Sequence, residues 1–291
     1  MMELEPREAV RYYLKGRQAL GEPELFLSAG GRERAIEEVR TAGTDAKEPE
    51  AGGFDVLRLA REGTREEILG IPDMDCLREV AAGCTRCGLH TTRTSVVFAD
   101  GTTAAEVLCV GEAPGANEDR TGLPFVGRAG KLLDRLLLSV GFPRADVFIC
   151  NVLKCRPPGN RNPLPDEIDA CSPFMLRQLE LVEPTVVIAF GTFAAQTLLG
   201  TRDSLRHMRG RTHLYRGFPL VVTYHPAALL RNPGWTRPTW QDLQLARRIV
   251  DGDRGHTTLR SHPEEEPPTL PEPQDAKVES TDQLTFGGRD G

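Results

Sequence analysis

The sequence predicts an α/β protein: three layers, with helices on both faces of a mostly parallel central sheet. Two observations predict it. Four short apolar runs, AEVLCVGE (105–112), DVFICNVL (146–153), TVVIAF (185–190) and PLVVTYHP (219–226), each sit between turn residues, as buried strands do. Helical patterns alternate with them, and strand–helix alternation in one chain gives parallel pairing through helical crossovers.

Taken in chain order, the elements justify themselves. A first helix is expected over PREAVRYYLKGRQAL (6–20), then a Gly/Ala/Glu-rich connector, TAGTDAKEPEAGGFD, then a second helical pattern from Asp55 through Ile68. After the first strand, GKLLDRLLLSV (130–140) is amphipathic. After the second, PLPDE opens a helix with Pro at its start and acids in its first turn. After the third, TFAAQTLLG stops at Gly200. From Asp251 onward the chain is rich in Pro, Glu and Gly without apolar periodicity, and a disordered tail is expected. The expected organisation is an N-terminal helical extension with an acidic linker (1–75), an α/β domain (76–250) and a tail (251–291).

Ligands of such a sheet bind at the carboxyl ends of the strands. GEAPGANEDRTG, NVLKCRPPGNR and HPAALLRNP follow three of the four strands and are denser in Gly, Pro and polar residues than a tight turn requires. Charge points to a class of partner. The net charge of −6 divides into −6 over 1–80, +6 over 81–250 and −6 over 251–291, with +7 in 201–250 alone. A basic middle between acidic flanks admits a polyanion. The acidic start, MMELEPREAV, is unlike an export signal, and no apolar run approaches the about 18 residues that span a bilayer. A cytoplasmic protein with no membrane partner is expected.

Seven cysteines in a reducing compartment are poorly explained as disulfides. Cys84 and Cys87 form a C-x2-C pair, which alone is compatible with zinc, a redox dithiol or an iron–sulfur cluster. Cys155 and Cys171 bracket the Pro-rich loop and the helix after the second strand. This two-plus-one-plus-one set suits a [4Fe–4S] cluster better than zinc, which more often pairs two C-x2-C knuckles. Cys109 and Cys150 lie inside strands as small apolar residues, and Cys76 has no partner at ligand spacing.

GEAPGANEDRTGLPFVGRAG, NVLKCRPPGNRNP followed by Cys171, and TYHPAALLRNP, together with the C-x2-C pair, closely resemble the family 4 iron–sulfur uracil-DNA glycosylases over about residues 81–250. The resemblance implies the uracil-DNA glycosylase fold, a structural [4Fe–4S] cluster on Cys84, Cys87, Cys155 and Cys171, and a monomer acting on uracil-containing DNA, double- or single-stranded. It implies hydrolysis of the N-glycosidic bond of a flipped uracil, leaving an abasic site and starting base-excision repair. Phe125 matches the stacking aromatic and Asn151 the amide that reads the base edge. His225 matches the histidine that meets charge developing on O2. Gly111, Glu112 and Ala113 line the pocket, with Glu112 near the attacking water. Family 1 enzymes carry an aspartate where Ala113 stands, so activation of water falls to Glu112 or to positioning alone. Leu229 and Leu230 would wedge into the duplex, and Arg231, Arg128 and Lys131 would hold backbone phosphates.

Outside that context, Phe125, Leu229 and Leu230 would pass as core, His225 as structural and Glu112 as a cap. Two rival functions follow: a relative that captures uracil-DNA covalently through a histidine of the basic segment HMRGRTHLYRG (His207 or His213), or a non-enzymatic iron–sulfur or zinc module that binds nucleic acid. The flanks are candidate contacts for repair proteins.

Overall fold

A computed structural model describes residues 55–252. The first expected helix and nearly all of the tail lie outside the described residues. The helical pattern from Asp55 is divided in two: α1 (Val56–Glu62) stops at Gly63, and Thr64 opens α2 (Arg65–Leu69) by exchanging hydrogen bonds with Glu67 in a capping box. α3 (Met74–Ala82) is capped by Asp73, whose carboxylate accepts from the backbone of Asp75 and Cys76. Leu59, Ile68, Ile71 and Leu77 are buried in the same core as the sheet residues. The compact unit accordingly begins at Asp55 rather than at residue 76.

The sheet contains β1 (Asp100–Gly101), β2 (Val107–Gly111), β3 (Phe148–Asn151), β4 (Val186–Phe190), β5 (Thr212–Tyr215) and β6 (Phe218–Thr223), in the order β1-β3-β2-β4-β6-β5. The four central strands, β3-β2-β4-β6, are parallel and correspond to the four apolar runs. The edge strands run antiparallel. β5 reaches β6 through Arg216 and Gly217, both at positive φ (49° and 82°), the geometry of a tight hairpin turn. These edges are short or half exposed, so neither reads as an apolar run.

Strict alternation along each strand builds two cores. Val107, Cys109, Ile149, Val186, Ile188 and Val221 face one side, where they meet Leu133, Leu136 and Leu137 of α5 (Gly127–Leu138) and Leu243 and Ala246 of α10 (Thr236–Val250). Leu108, Val110, Phe148, Cys150, Val187, Ala189 and Leu220 face the other. There they meet α6 (Pro165–Val182), α7 (Thr192–Leu199) and the N-terminal helices. Cys109 and Cys150 are fully buried within these layers, as strand thiols should be. Three short helices complete the unit: α4 (Ala116–Thr121), α8 (Leu205–Met208) and α9 (Pro226–Leu229). Strand order reverses about β2, since β3 lies on one side of it and β4 on the other, which opens a crevice at the strands' carboxyl ends.

Candidate active site

Beyond the last residues of β2 and β3 the two chains keep pairing: Val152 donates to the Gly111 carbonyl (3.0 Å) and Leu153 to that of Glu112 (3.0 Å). This extension fixes Asn151 beside Gly111. A Cβ at Gly111 would press into Asn151 Oδ1 and lie 2.6 Å from Phe125 Cζ, so only glycine leaves room there for both groups. The Phe125 ring stacks on the His225 ring with centroids 5.4 Å apart. His225 in turn sits over the chain at Gly191, where a Cβ would lie 3.1 Å from the histidine's own. Gly111 and Phe125 from one motif, Asn151 from a second and His225 from a third therefore meet at one point of the crevice. Glu112 and Ala113 continue from Gly111 along its rim, both partly buried.

His225 is the N-cap of α9, and its Nδ1 accepts the Ala227 N–H (3.2 Å). Burial, helped by the Arg231 charge, pushes its pKa down to about 4. The ring is thus neutral near pH 7 and, with Nδ1 accepting, carries its proton on Nε2. Burial raises the Glu112 carboxyl above the usual carboxylate range.

Phe125 is held in a conformation it would not choose, with φ of 49°. Glu118 Oε1 accepts from Val126 N (2.9 Å) while its Oε2 accepts from Gly115 N (3.1 Å). Arg144 donates to the carbonyls of Pro124 (2.7 Å) and Phe125 (3.2 Å) and pairs with Asp100 and Asp134 (2.8 Å each). Behind His225, the buried Asp242 accepts from Thr223 (2.8 Å) and from Arg209 (2.7 Å), whose guanidinium lies 4.8 Å over the Tyr224 ring. Sequence reading missed Glu118, Arg144, Arg209 and Asp242; Glu118 stands at the N3 position of a capping box, a local signal, whereas Arg144, Arg209 and Asp242 act on partners farther off in the chain.

Cys84, Cys87, Cys155 and Cys171 line one narrow recess, with only about 10 Å³ of open space, beside the loop that follows β3. Among the described residues, no group of three or more His, Cys, Asp or Glu is gathered closely enough to hold a single metal ion. Donors surround the thiols: Arg93 Nη1 lies 3.4 Å from Cys155 Sγ and Lys154 N lies 3.2 Å from Cys171 Sγ. Arg86 Nη1 lines the same recess, buried and without a hydrogen-bond partner. Burial pushes the Cys155 thiol up to about 11 and raises Cys171 and Cys87 as well. Lys154 ties the recess to the crevice, since its Nζ donates to the Asn151 carbonyl (2.8 Å) and to Gln178 Oε1 (2.6 Å).

A profile described as the Uracil DNA glycosylase superfamily matches residues 98–244. The Type-4 uracil-DNA glycosylase of Thermotoga maritima is 46% identical over 191 residues, covering 64% of this chain and 97% of that protein. The Type-4 uracil-DNA glycosylase of Archaeoglobus fulgidus is 43% identical over 167 residues, 55% of this chain and 83% of that protein. The chain belongs to the type-4 uracil-DNA glycosylase family.

One expected contact of this type-4 glycosylase is corrected by the structure. Leu229 is only 2% exposed and packs in the core cluster that contains Leu133 and Leu136, so its side chain has no reach toward a duplex. Leu230 is 40% exposed and presents its side chain on the surface, followed by the exposed Arg231. Arg128 and Lys131 are exposed on the first turns of α5. His213 is buried with its Nε2 2.6 Å from the Met208 carbonyl, and His207 is exposed beside Ser204.

Proposed function

We propose that this type-4 glycosylase excises uracil as follows: the flipped base enters the crevice, water cleaves its N-glycosidic bond, and an abasic site remains for base-excision repair. The observation that carries this is the meeting of the Asn151 amide, the Phe125 ring and a neutral His225 around Gly111. Asn151 accepts from uracil N3–H and donates to O4, a pattern that the cytosine edge reverses. Phe125 stacks on the base. As the bond lengthens, charge gathers on uracil O2, and His225 Nε2–H donates to it in the manner of an oxyanion hole. Glu112 holds the attacking water, and the burial that raises its pKa makes its carboxylate a stronger proton acceptor. The sugar reacts as an oxocarbenium-like species, which needs only a modest nucleophile. Leu230 fills the space vacated by the base, while Arg231, Arg128 and Lys131 hold phosphates.

Cys84, Cys87, Cys155 and Cys171 would hold a [4Fe–4S] cluster. The support is a recess walled by four separate thiols, with cationic and N–H donors around them. When bound, the cluster would supply a crosslink joining the segment before β1 to the loop that follows Asn151. The protein is proposed to act in the cytoplasm as a monomer, with its flanks contacting repair proteins.

The test is single-turnover excision from U:G, U:A and single-stranded oligonucleotides, with a denaturing gel to detect covalent capture. Asn151→Ala and His225→Ala should each lower the rate at least 100-fold. Near wild-type rates in both would overturn the assignment, and a shifted protein band would favour covalent capture.

A further inference from the structure

An open groove of about 750 Å³ runs between α5 and the start of α10. Leu132 and Leu136 form one wall, Pro233 and Trp240 the other, and Arg135 and Arg237 stand at its edges. Trp240 is 38% exposed, whereas the neighbouring Trp235 is occupied, stacked on Tyr224 at 4.6 Å. Arg128, Lys131 and Arg135, at spacings of three and four, share one side of α5, and Arg231 and Arg237 lie on the facing segment. None of these five cations makes a side-chain hydrogen bond or ion pair among the described residues. The acids on the two helices are turned to other partners: Asp134 to Arg144, and Asp242 to Arg209 and Thr223. Among the described residues, no carboxylate lines the groove. A surface with apolar walls, an exposed aromatic and uncompensated cations along its length fits a single nucleic-acid strand, whose bases offer flat faces and whose backbone offers one charge per residue. Pro233 of the groove follows the exposed Leu230 by three residues in the chain.

We propose that this groove is a track for the substrate strand on one side of the flipped nucleotide, with Trp240 taking a base face and Arg135 and Arg237 taking phosphates. The inference rests on the glycosylase reading. From Arg128 to Arg135 the helix rises about 10 Å, and at about 3.4 Å per nucleotide this spans about three residues of the strand.

The test uses single-stranded oligonucleotides carrying uracil with flanks of one to six nucleotides on each side. For the wild type, kcat/KM should rise at least tenfold as one flank grows from one to about three nucleotides, and the side that responds reads the strand's polarity. Arg135→Ala/Arg237→Ala should abolish that rise and Trp240→Ala should reduce it. Fluorescence anisotropy with a labelled strand provides a readout independent of chemistry. There the double variant should flatten the slope of log K against log salt by about 1.4, from two lost phosphate contacts at about 0.7 each, and Arg135→Lys/Arg237→Lys should restore it. All three side chains are on the surface, so melting temperatures should match the wild type. An unchanged flank rise and salt slope in the variants would overturn the track, as would equal slowing of short and long substrates. Either result would leave the groove to a protein partner. Absence of excision at every length would refute the glycosylase reading instead, while the anisotropy still decides the groove.

Discussion

The neutrality of His225 can be tested directly, because acid should act on it far below the usual histidine range. Its folded pKa is about 4 against an ordinary value of 6.5, and a shift of that size corresponds to at most about 3 kcal/mol, less to the extent that water screens this partly buried residue. A pKa depressed on folding means that the unfolded chain takes up its proton first. This contribution to stability is therefore complete above pH 6.5 and is lost as pH falls from 6.5 toward 4. The local consequence is as definite. Nδ1 accepts the Ala227 N–H at 3.2 Å, and a proton placed on Nδ1 would set two donors against each other. Protonation should release the cap of α9 and the segment bearing Leu230 and Arg231. The assay is NMR of protein carrying 13C,15N-labelled histidine between pH 3.5 and 8, with His225→Gln to assign the signal. The expected result is a midpoint near 4 and the Nε2–H tautomer above it. A midpoint at or above 6, or a proton on Nδ1 at neutral pH, would refute both the donor role and the burial argument behind it.

Three further outcomes are expected. Gly111→Ala places a methyl against Asn151 Oδ1 and Phe125; overpacking of this kind costs about 1–3 kcal/mol, and excision should fall at least tenfold, an unchanged rate showing that the pocket lies elsewhere. Arg144→Met removes the donors that hold Phe125 at φ 49°. Excision should fall at least tenfold, and adding Phe125→Ala should cost less than it does in the wild type; additive losses would separate the two residues. Cys84→Ser should lower bound iron, the visible absorbance and the melting temperature together, with base choice unaltered, and full iron retention would exclude Cys84 as a ligand.

Much of the fold was legible because its strands are short apolar runs with period-two burial on both faces, a signal that survives without any partner in view. The edge strands and the division of the first helical pattern were less visible. β1 and β5 owe their pairing to β3 and β6, and one glycine followed by one capping box decides where α1 stops and α2 starts. Leu229 shows the limit most clearly. Adjacent leucines in a loop read as two equal wedges, yet one helical turn rotates successive residues by about 100°, turning Leu229 into the core and Leu230 outward.

By itself the sequence determined the layered architecture and the family, since these rest on apolar runs and motifs of residue types at fixed local spacing. The tertiary structure decided which side chains meet: that Gly111 leaves the space that Asn151 and Phe125 occupy, that Arg144 and Glu118 hold Phe125 in its left-handed backbone, and that His225 is neutral. Those properties come from contact, burial and charge between segments far apart in the chain, quantities that exist only once the sheet has brought its strand ends together.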